Sequence, residues 1–289
     1  MLDLSVLKDR ICDIRHSGYG WVMTDHRASL LDAFSTRARI AVVAFLLLCM
    51  ALAPQRPTVV LVGDSLTQQG ADPRNDGWAA LLTNHLIRSA DVLNRGLSGY
   101  NTHWFVRDVL PSLSSELEKL PHVAIITLWL GANDAALPDG PARDQHVPLD
   151  EFQANLRTLL DGFHRAAPRA QIVLLTPPVV DDETRQRLQL QWAAPTEPLN
   201  RSNAFAQRYA AACVAVAQHM EATEWLSVLD VHSIMTERFP DARERATLLS
   251  DGLHFSRDGN RLVFELVRER VDALLPSRWQ FADWKVLTA

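Results

Sequence analysis

The sequence has few cysteines, no basic stripe and no hydrophobic run of membrane-spanning length. Its three cysteines, Cys12, Cys49 and Cys213, lie far apart and form no CxxC pair, which argues against a disulfide framework and against a zinc site. The formal net charge of the 289 residues is −5, and the charged residues are spread along the chain. Nucleic acid is therefore not an expected partner, and the charge is typical of a soluble surface.

The longest apolar run covers residues 40–53 and follows Arg37 and Arg39. Its 14 residues are fewer than the ~20 of a membrane-spanning helix, but they match the apolar region of a signal peptide. Three interpretations stay open: a secretory signal or membrane anchor, a poorly structured extension or start-site artefact, and a buried helix. The first places the protein in the secretory pathway or on a membrane through residues 40–53, and the others leave it in the cytoplasm.

Several enzyme motifs are also missing. No G-x-S-x-G nucleophile elbow occurs, which disfavours the common α/β-hydrolase architecture. The chain has no P-loop and no complete dinucleotide-binding glycine pattern, and its histidines lack the spacing of a metal site. We therefore expect neither a cofactor nor a metal ion.

The composition, 47% hydrophobic and 22% charged, is typical of a globular protein. We predict an N-terminal extension over residues 1–56, one globular domain over residues 57–276 and a C-terminal tail over residues 277–289.

Short apolar runs alternate with helical patterns in the predicted domain. Runs bounded by glycine or proline predict buried parallel strands at Thr58–Val62, Ala90–Leu93, Val123–Leu130, Gln171–Thr176 and Trp225–Val231. Apolar residues at i, i+3 and i+4 spacing predict helices that contain Trp78, Phe152, Phe205 and Leu262. This alternation predicts a three-layer α/β/α sandwich of about five parallel strands. The polar stretch 181–200 is interpreted as a long excursion or helical lid.

In open α/β sheets, ligands bind beyond the carboxyl ends of the strands. Four polar segments follow strands or precede the last helix: Gly63–Thr67, Asn94–Thr102, Gly131–Asp134 and Asp251–Ser256. A single Gly-Asp-Ser or Asp-x-x-His pattern is usually a turn. The occurrence of all four segments in this order is far more specific.

Together the segments contain the groups that acyl transfer needs. Ser65 is the candidate nucleophile, His254 its base, and Asp251 the partner that orients the imidazole. The oxyanion of a tetrahedral intermediate needs preorganised donors. Candidates are the backbone N–H of Ser65, that of Gly99 and the side-chain amide of Asn133.

Other polar and aromatic residues near these segments favour structural roles. We expect Asp64 to hold its turn and Asp134 to orient its loop. Trp78 and Trp129 are expected in the core, and His146 is either a structural residue or part of the pocket wall.

The four segments resemble the blocks of the SGNH hydrolases, also called the GDSL esterase/lipase family. Ser65, Gly99, Asn133 and His254 match the four blocks, and Asp251 completes the triad; the resemblance covers about residues 57–276. It implies a flavodoxin-like fold and metal-free hydrolysis of acyl esters.

Within that family the chain is most similar to isoamyl acetate-hydrolysing esterases. The segments that carry this similarity include VGDSLTQ (62–68), VLNRGLSGYNT (92–102), LGAND (130–134), QHVPLDEFQANL (145–156) and DGLHFS (251–256). The similarity implies small acetate or other short-chain esters as substrates. A carbohydrate O-acetyl esterase, a lysophospholipase and an acyltransferase with the same site stay open. A catalytically silent binding module is the least favoured alternative.

Overall fold

The computed structural model describes residues 56–191, 196–220 and 224–275, all within the unit that runs from Gln55 to Ala289. The predicted apolar segment 40–53 and the predicted tail 277–289 lie outside the described residues. So does the predicted extension, apart from Arg56. Among the helices of the described ranges, none combines the length and the apolar character needed to span a bilayer.

The described residues form one sheet of five parallel strands in the order β2-β1-β3-β4-β5. The strands are β1 (Thr58–Gly63), β2 (Asp91–Gly96), β3 (Val123–Trp129), β4 (Gln171–Leu175) and β5 (Leu226–Leu229). Both the predicted strand count and the parallel arrangement are confirmed. This order is that of flavodoxin-like folds, in which the chain switches direction across the sheet at β1 and β3.

Two predicted strand boundaries are wrong in an informative way. Asn94, Arg95 and Gly96 were expected to follow the second strand, but they lie within β2 and pair with Leu61, Val62 and Gly63 of β1. Pairing with the central strand thus outweighs the turn tendency of an Asn-Arg-Gly sequence. The fifth strand is shorter than predicted, because the Asp230 side chain accepts a hydrogen bond from Ser233 N and starts a helix there.

Ten α-helices occur in the described residues. They are α1 (Ser65–Gln68), α2 (Trp78–His85), α3 (Thr102–Trp104), α4 (Leu110–Leu117), α5 (Leu149–Ala166), α6 (Asp182–Gln189), α7 (Asn203–His219), α8 (Val231–Arg238), α9 (Ala242–Thr247) and α10 (Arg257–Leu274). The four predicted helices correspond to α2, α5, α7 and α10, and α6 lies in the predicted helical excursion. The remaining five, α1, α3, α4, α8 and α9, were not predicted.

The central strands of the sheet are buried on both faces, which explains why β1, β3 and β4 are predominantly apolar. All six residues of β1 are buried, with Val59 and Leu61 in one apolar cluster and Val60 and Val62 in the other. The first cluster includes the apolar residues of α2 and α10, and the second includes those of α5 and α7. The three-layer α/β/α architecture is therefore confirmed.

Candidate active site

Ser65 lies directly after β1, as the first residue of α1, and is 7% exposed. The preceding Asp64 caps this helix, because its Oδ1 accepts a hydrogen bond of 2.9 Å from Leu66 N. Gly63 is required by a close approach, since a Cβ there would overlap Thr67 Oγ1 and lie 2.5 Å from the carbonyl oxygen of Trp129. The Gly-Asp-Ser sequence thus fits a tight strand-to-helix turn.

Asp251 and His254 lie in one turn between α9 and α10. The Oδ1 atom of Asp251 accepts hydrogen bonds from Leu253 N at 3.0 Å and from His254 N at 2.8 Å. Its Oδ2 atom lies 2.8 Å from His254 Nδ1. Gly252 has a φ of +80°, a left-handed conformation that glycine adopts without strain. The prediction that this segment follows the fifth strand needs correction, because α8 and α9 intervene.

The structure brings the three predicted residues of the triad into one hydrogen-bonded chain. His254 Nε2 lies 2.9 Å from Ser65 Oγ, although the two residues are 189 positions apart. Burial opposes ionisation of Asp251. The hydrogen bond and charge of His254 and the two backbone N–H groups outweigh it and hold the pKa of Asp251 well below its usual range. An ionised carboxylate, an imidazole and a hydroxyl are therefore aligned.

Gly99 and Asn133 line the same cavity as Ser65, Asp251 and His254. Gly99 has a φ of +84°. Asn133 is 4% exposed, and its Nδ2 donates to the carbonyl oxygen of Tyr100 at 2.9 Å. The cavity has a volume of about 340 Å³. All five residues predicted for the site thus surround one space beyond the carboxyl ends of β1, β2 and β3.

Asp134 performs the loop-orienting role expected of it. Its Oδ1 accepts hydrogen bonds from the backbone N–H of Thr102, at 2.9 Å, and from the hydroxyl of Thr102. These bonds connect the loop after β3 with the beginning of α3. Burial raises the pKa of Asp134 to about 6, and it raises the pKa of Asp64 to about 7.

The aromatic residues and His146 have structural positions. Trp78 and Trp129 are buried in the core, with ring centroids 5.7 Å apart in an edge-on arrangement. His146 Nδ1 lies 2.6 Å from the carbonyl oxygen of Ala136, and the His146 ring packs near Phe205. His146 is not among the residues that line the cavity. The structural interpretation therefore fits each of these residues.

The cavity also contains polar residues that the sequence did not single out. They are Gln69, Ser98, Gln145, Arg185, Asn200 and Arg201. Arg185 belongs to α6 and donates to the Asp251 carbonyl oxygen at 3.2 Å. Ser98 and Gln145 lie in the segments 92–102 and 145–156 but were assigned no role there, and the other four stand in no such segment. All six reach the cavity through the tertiary packing of the domain.

Comparison with known proteins agrees with this architecture. The model of the GDSL-like Lipase/Acylhydrolase family matches residues 61–262. An isoamyl acetate-hydrolyzing esterase 1 homolog of Bos taurus is 39% identical over 223 residues, which cover 75% of this chain and 84% of the relative. A GDSL esterase/lipase of Arabidopsis thaliana is 39% identical over 220 residues, which cover 75% of this chain and 86% of the relative.

Solved structures resemble the chain in fold at low sequence identity. The acetyl xylan esterase AlAXEase is 16% identical with a TM-score of 0.57, over 74% of this chain and 99% of that structure. The aryl esterase of M. smegmatis is 19% identical with a TM-score of 0.52, over 76% of this chain and 100% of that structure. From the family match and the close relatives, we conclude that the chain belongs to the GDSL-like lipase/acylhydrolase family and is a carboxylic ester hydrolase.

Proposed function

We propose that the protein hydrolyses short-chain acyl esters, acetates above all, through a triad of Ser65, His254 and Asp251. The observation that carries this proposal is the continuous hydrogen-bonded chain from Asp251 Oδ2 through both ring nitrogens of His254 to Ser65 Oγ. A serine hydroxyl is a weak nucleophile, and a base at hydrogen-bond distance activates it.

In the first half of the reaction, Ser65 Oγ attacks the ester carbonyl carbon while His254 Nε2 takes the hydroxyl proton. Asp251 accepts the Nδ1–H of His254 and stabilises the imidazolium ion that forms. When the tetrahedral intermediate collapses, the bond to the alcohol oxygen breaks and His254 returns the proton to the leaving alcohol. Ser65 is left as an acyl ester.

In the second half, water takes the place of the alcohol. His254 removes a proton from the water as its oxygen attacks the acyl carbon, and then protonates Ser65 Oγ as that bond breaks. The products are the carboxylic acid and the free enzyme. This sequence consumes one water for each ester and needs no cofactor.

The oxyanion formed in each half is assigned to three donors. They are the backbone N–H groups of Ser65 and Gly99 and the side-chain amide of Asn133, which all lie around the cavity. Loss of one such donor in a serine hydrolase lowers kcat by roughly 10²–10³-fold.

A small acyl group is supported by the name of a similar relative and by the size of the cavity. The Bos taurus relative is named as an isoamyl acetate-hydrolyzing esterase homolog. The cavity of about 340 Å³ has to hold both the acyl group and the alcohol around the ester. That volume is near the small end of ligand pockets, which favours short chains.

The lining of the cavity favours a second candidate for the alcohol, a hydroxylated one such as a sugar. Among the described residues that line it, only Ala142 and Leu253 contribute apolar side chains, whereas Gln69, Ser98 and Asn200 contribute polar ones. A branched alkyl alcohol would leave such groups without hydrogen-bond partners, and a hydroxylated alcohol could satisfy them. An acetylated carbohydrate therefore stands beside a simple alkyl acetate as a candidate substrate.

Fluorophosphonate labelling of the purified protein tests the nucleophile. We expect stoichiometric labelling at Ser65 and no labelling of the Ser65→Ala variant, because the reagent reacts with an activated serine. Labelling that persists in Ser65→Ala contradicts the assignment.

A series of nitrophenyl esters with increasing acyl length tests the substrate class. We expect kcat/KM to be highest for acetate or butyrate and to fall for long chains, which exceed the cavity. Maximal activity on long acyl chains contradicts the short-chain proposal. A comparison of kcat/KM for isoamyl acetate and for an acetylated sugar then shows whether the preferred leaving alcohol is an alkyl alcohol or a sugar.

A further inference from the structure

A buried arginine lies beside the proposed oxyanion hole. Arg201, just before α7, is 3% exposed. In the described residues it donates four hydrogen bonds. Their acceptors are Ala132 O at 2.8 Å, Asn200 O at 2.9 Å, Asn133 Oδ1 at 3.1 Å and Gln145 Oε1 at 2.6 Å. All four acceptors are neutral, so the guanidinium is held by the active-site loops and not by a salt bridge.

The contact with Asn133 determines which way its amide faces. A guanidinium only donates hydrogen bonds, so the Asn133 oxygen has to point toward Arg201. The amide nitrogen then points the other way, where it donates one hydrogen to Tyr100 O. Its second hydrogen remains available to an oxyanion in the cavity. Without Arg201, the same amide could rotate and present its oxygen to that oxyanion.

The Arg201 nitrogen that bonds to Asn133 also influences the position of Gly99, through Gln145. Arg201 Nη2 donates to Gln145 Oε1 as well as to Asn133 Oδ1. Because Gln145 accepts through its oxygen, its nitrogen is free to donate, and it donates to Gly99 O at 2.9 Å. One guanidinium nitrogen thus connects the two donor residues that come from the ends of β2 and β3.

The charge of Arg201 adds an electrostatic effect to this geometry. Burial lowers the pKa of Arg201 to about 10, with Arg185 acting in the same direction and Asp64 and Asp134 opposing both. The side chain therefore stays cationic at neutral pH. A cation bonded to the Asn133 oxygen polarises that amide and makes its N–H a stronger donor.

We propose that Arg201, with Gln145, is a positioning residue that orients the Asn133 and Gly99 donors and strengthens the Asn133 donor in the transition state. This inference rests on the proposed hydrolytic function of the same site. The positioning role explains why the charged Arg201 side chain is buried although, among the described residues, no carboxylate pairs with it.

The Arg201→Lys variant tests the proposal while retaining the positive charge. A lysine ammonium carries three donors on one nitrogen and cannot hold all four acceptors in their present places. We expect kcat for nitrophenyl acetate to fall roughly 10- to 100-fold, somewhat less than for removal of a donor itself. We expect KM to change less than threefold and the acidic limb of the pH–rate profile to stay in place. An unchanged kcat overturns the proposal.

A double-mutant cycle with Asn133→Ala separates positioning from general support of the fold. If Arg201 acts through Asn133, the kcat penalty of Arg201→Lys shrinks at least fivefold when Asn133 is already alanine. Equal penalties in both backgrounds overturn the proposal. Arg185→Lys is the matched control: Arg185 lines the same cavity but bonds to Asn200 and Asp251, so its penalty should be equal in both backgrounds.

Gln145→Leu gives a test that leaves Arg201 in place, should Arg201→Lys lack a cooperative melting transition. We expect kcat to fall about tenfold at unchanged KM, because Gly99 O loses its donor. An unchanged kcat overturns the proposal. If fluorophosphonate does not label Ser65 of the wild-type protein, the proposed function itself is contradicted. If Ser65 is labelled but the kcat losses of Arg201→Lys and Asn133→Ala are additive, only the role of Arg201 is contradicted.

Discussion

Three carboxyl groups lie near the site, and their surroundings shift their pKa values in opposite directions. Asp251 is stabilised as an anion by His254 and two backbone N–H groups. Asp64 and Asp134 are 0% exposed, and in the described residues the Oδ2 atom of each lacks a hydrogen-bond partner. Burial therefore raises the pKa of both groups, whereas Asp251 remains an anion at neutral pH and stabilises the imidazolium.

The buried Asp64 predicts a pH-dependent stability difference between wild type and Asp64→Asn. Burial raises the pKa of Asp64 from 3.8 to about 7, so the folded chain keeps a proton that the unfolded chain releases. Between about pH 4 and pH 7, rising pH thus destabilises the wild type by up to ~1.4 kcal/mol per pH unit through this group. Asparagine retains the acceptor for Leu66 N but does not titrate.

Urea unfolding of both proteins at several pH values between 4 and 8 measures this effect. We expect the stability of Asp64→Asn relative to wild type to increase as pH rises through that window. Asp72→Asn is the control without a pH trend in this window, because hydrogen bonds from Arg74 lower the pKa of Asp72 and keep its titration below pH 4. A relative stability of Asp64→Asn that is constant or decreases with pH contradicts the prediction.

The sequence identified some residues of the candidate site and missed others. Ser65, Gly99, Asn133, Asp251 and His254 stand in short patterns, and the structure brings all five to one cavity as predicted. Arg201 stands in no such pattern, and Gln145 lies in the segment 145–156 without a pattern that assigns it a role. Their partners are 68 and 46 residues away, and the direction of a side chain over such a distance depends on packing of the whole domain.

At the scale of elements, the apolar pattern was sufficient to predict strands buried on both faces. It predicted β1, β3 and β4 to within one residue at either end. It was not sufficient for β2, whose residues are only partly buried and whose end is determined by pairing with β1. It also missed α8 and α9, short helices that begin at the capping side chains Asp230 and Asp241.

The turn between β1 and α1 predicts the effect of Gly63→Ala. A Cβ at this position would overlap Thr67 Oγ1 and crowd the carbonyl oxygen of Trp129, so α1 has to shift away from β3. We expect overpacking to destabilise the protein by roughly 1–3 kcal/mol. We also expect kcat to fall, because α1 carries Ser65.

Urea unfolding and nitrophenyl acetate turnover check both effects. Ser65→Ala is the matched control, since it removes the hydroxyl without adding volume; it should lose activity and keep the wild-type unfolding midpoint. Wild-type stability of Gly63→Ala would show that the turn tolerates a side chain.

For the whole molecule, the site depends on contacts between the two ends of the domain. Ser65 follows the first strand, and His254 precedes the last helix, 189 residues later. No shorter segment contains both groups. Helices α2 and α10, which contribute to the same apolar cluster, hold these two ends of the domain together.

This arrangement predicts that reactivity of Ser65 and the global fold are lost together in urea. We expect the midpoint for fluorophosphonate labelling to coincide with that for tryptophan fluorescence, to which the buried pair Trp78 and Trp129 contributes. Labelling that disappears at distinctly lower urea concentrations contradicts this prediction, because the site would then open before the core.

The turn that contains Asp251 and His254 affects how the catalytic residues reach their relative positions during folding. One carboxylate binds the backbone of the turn with one oxygen and the imidazole with the other, so the acid and the base form a single stiff body. The nucleophile belongs to a second stiff body, the capped turn after β1. Within the triad, a single interatomic separation, Ser65 Oγ to His254 Nε2, records whether the two bodies are correctly placed against each other.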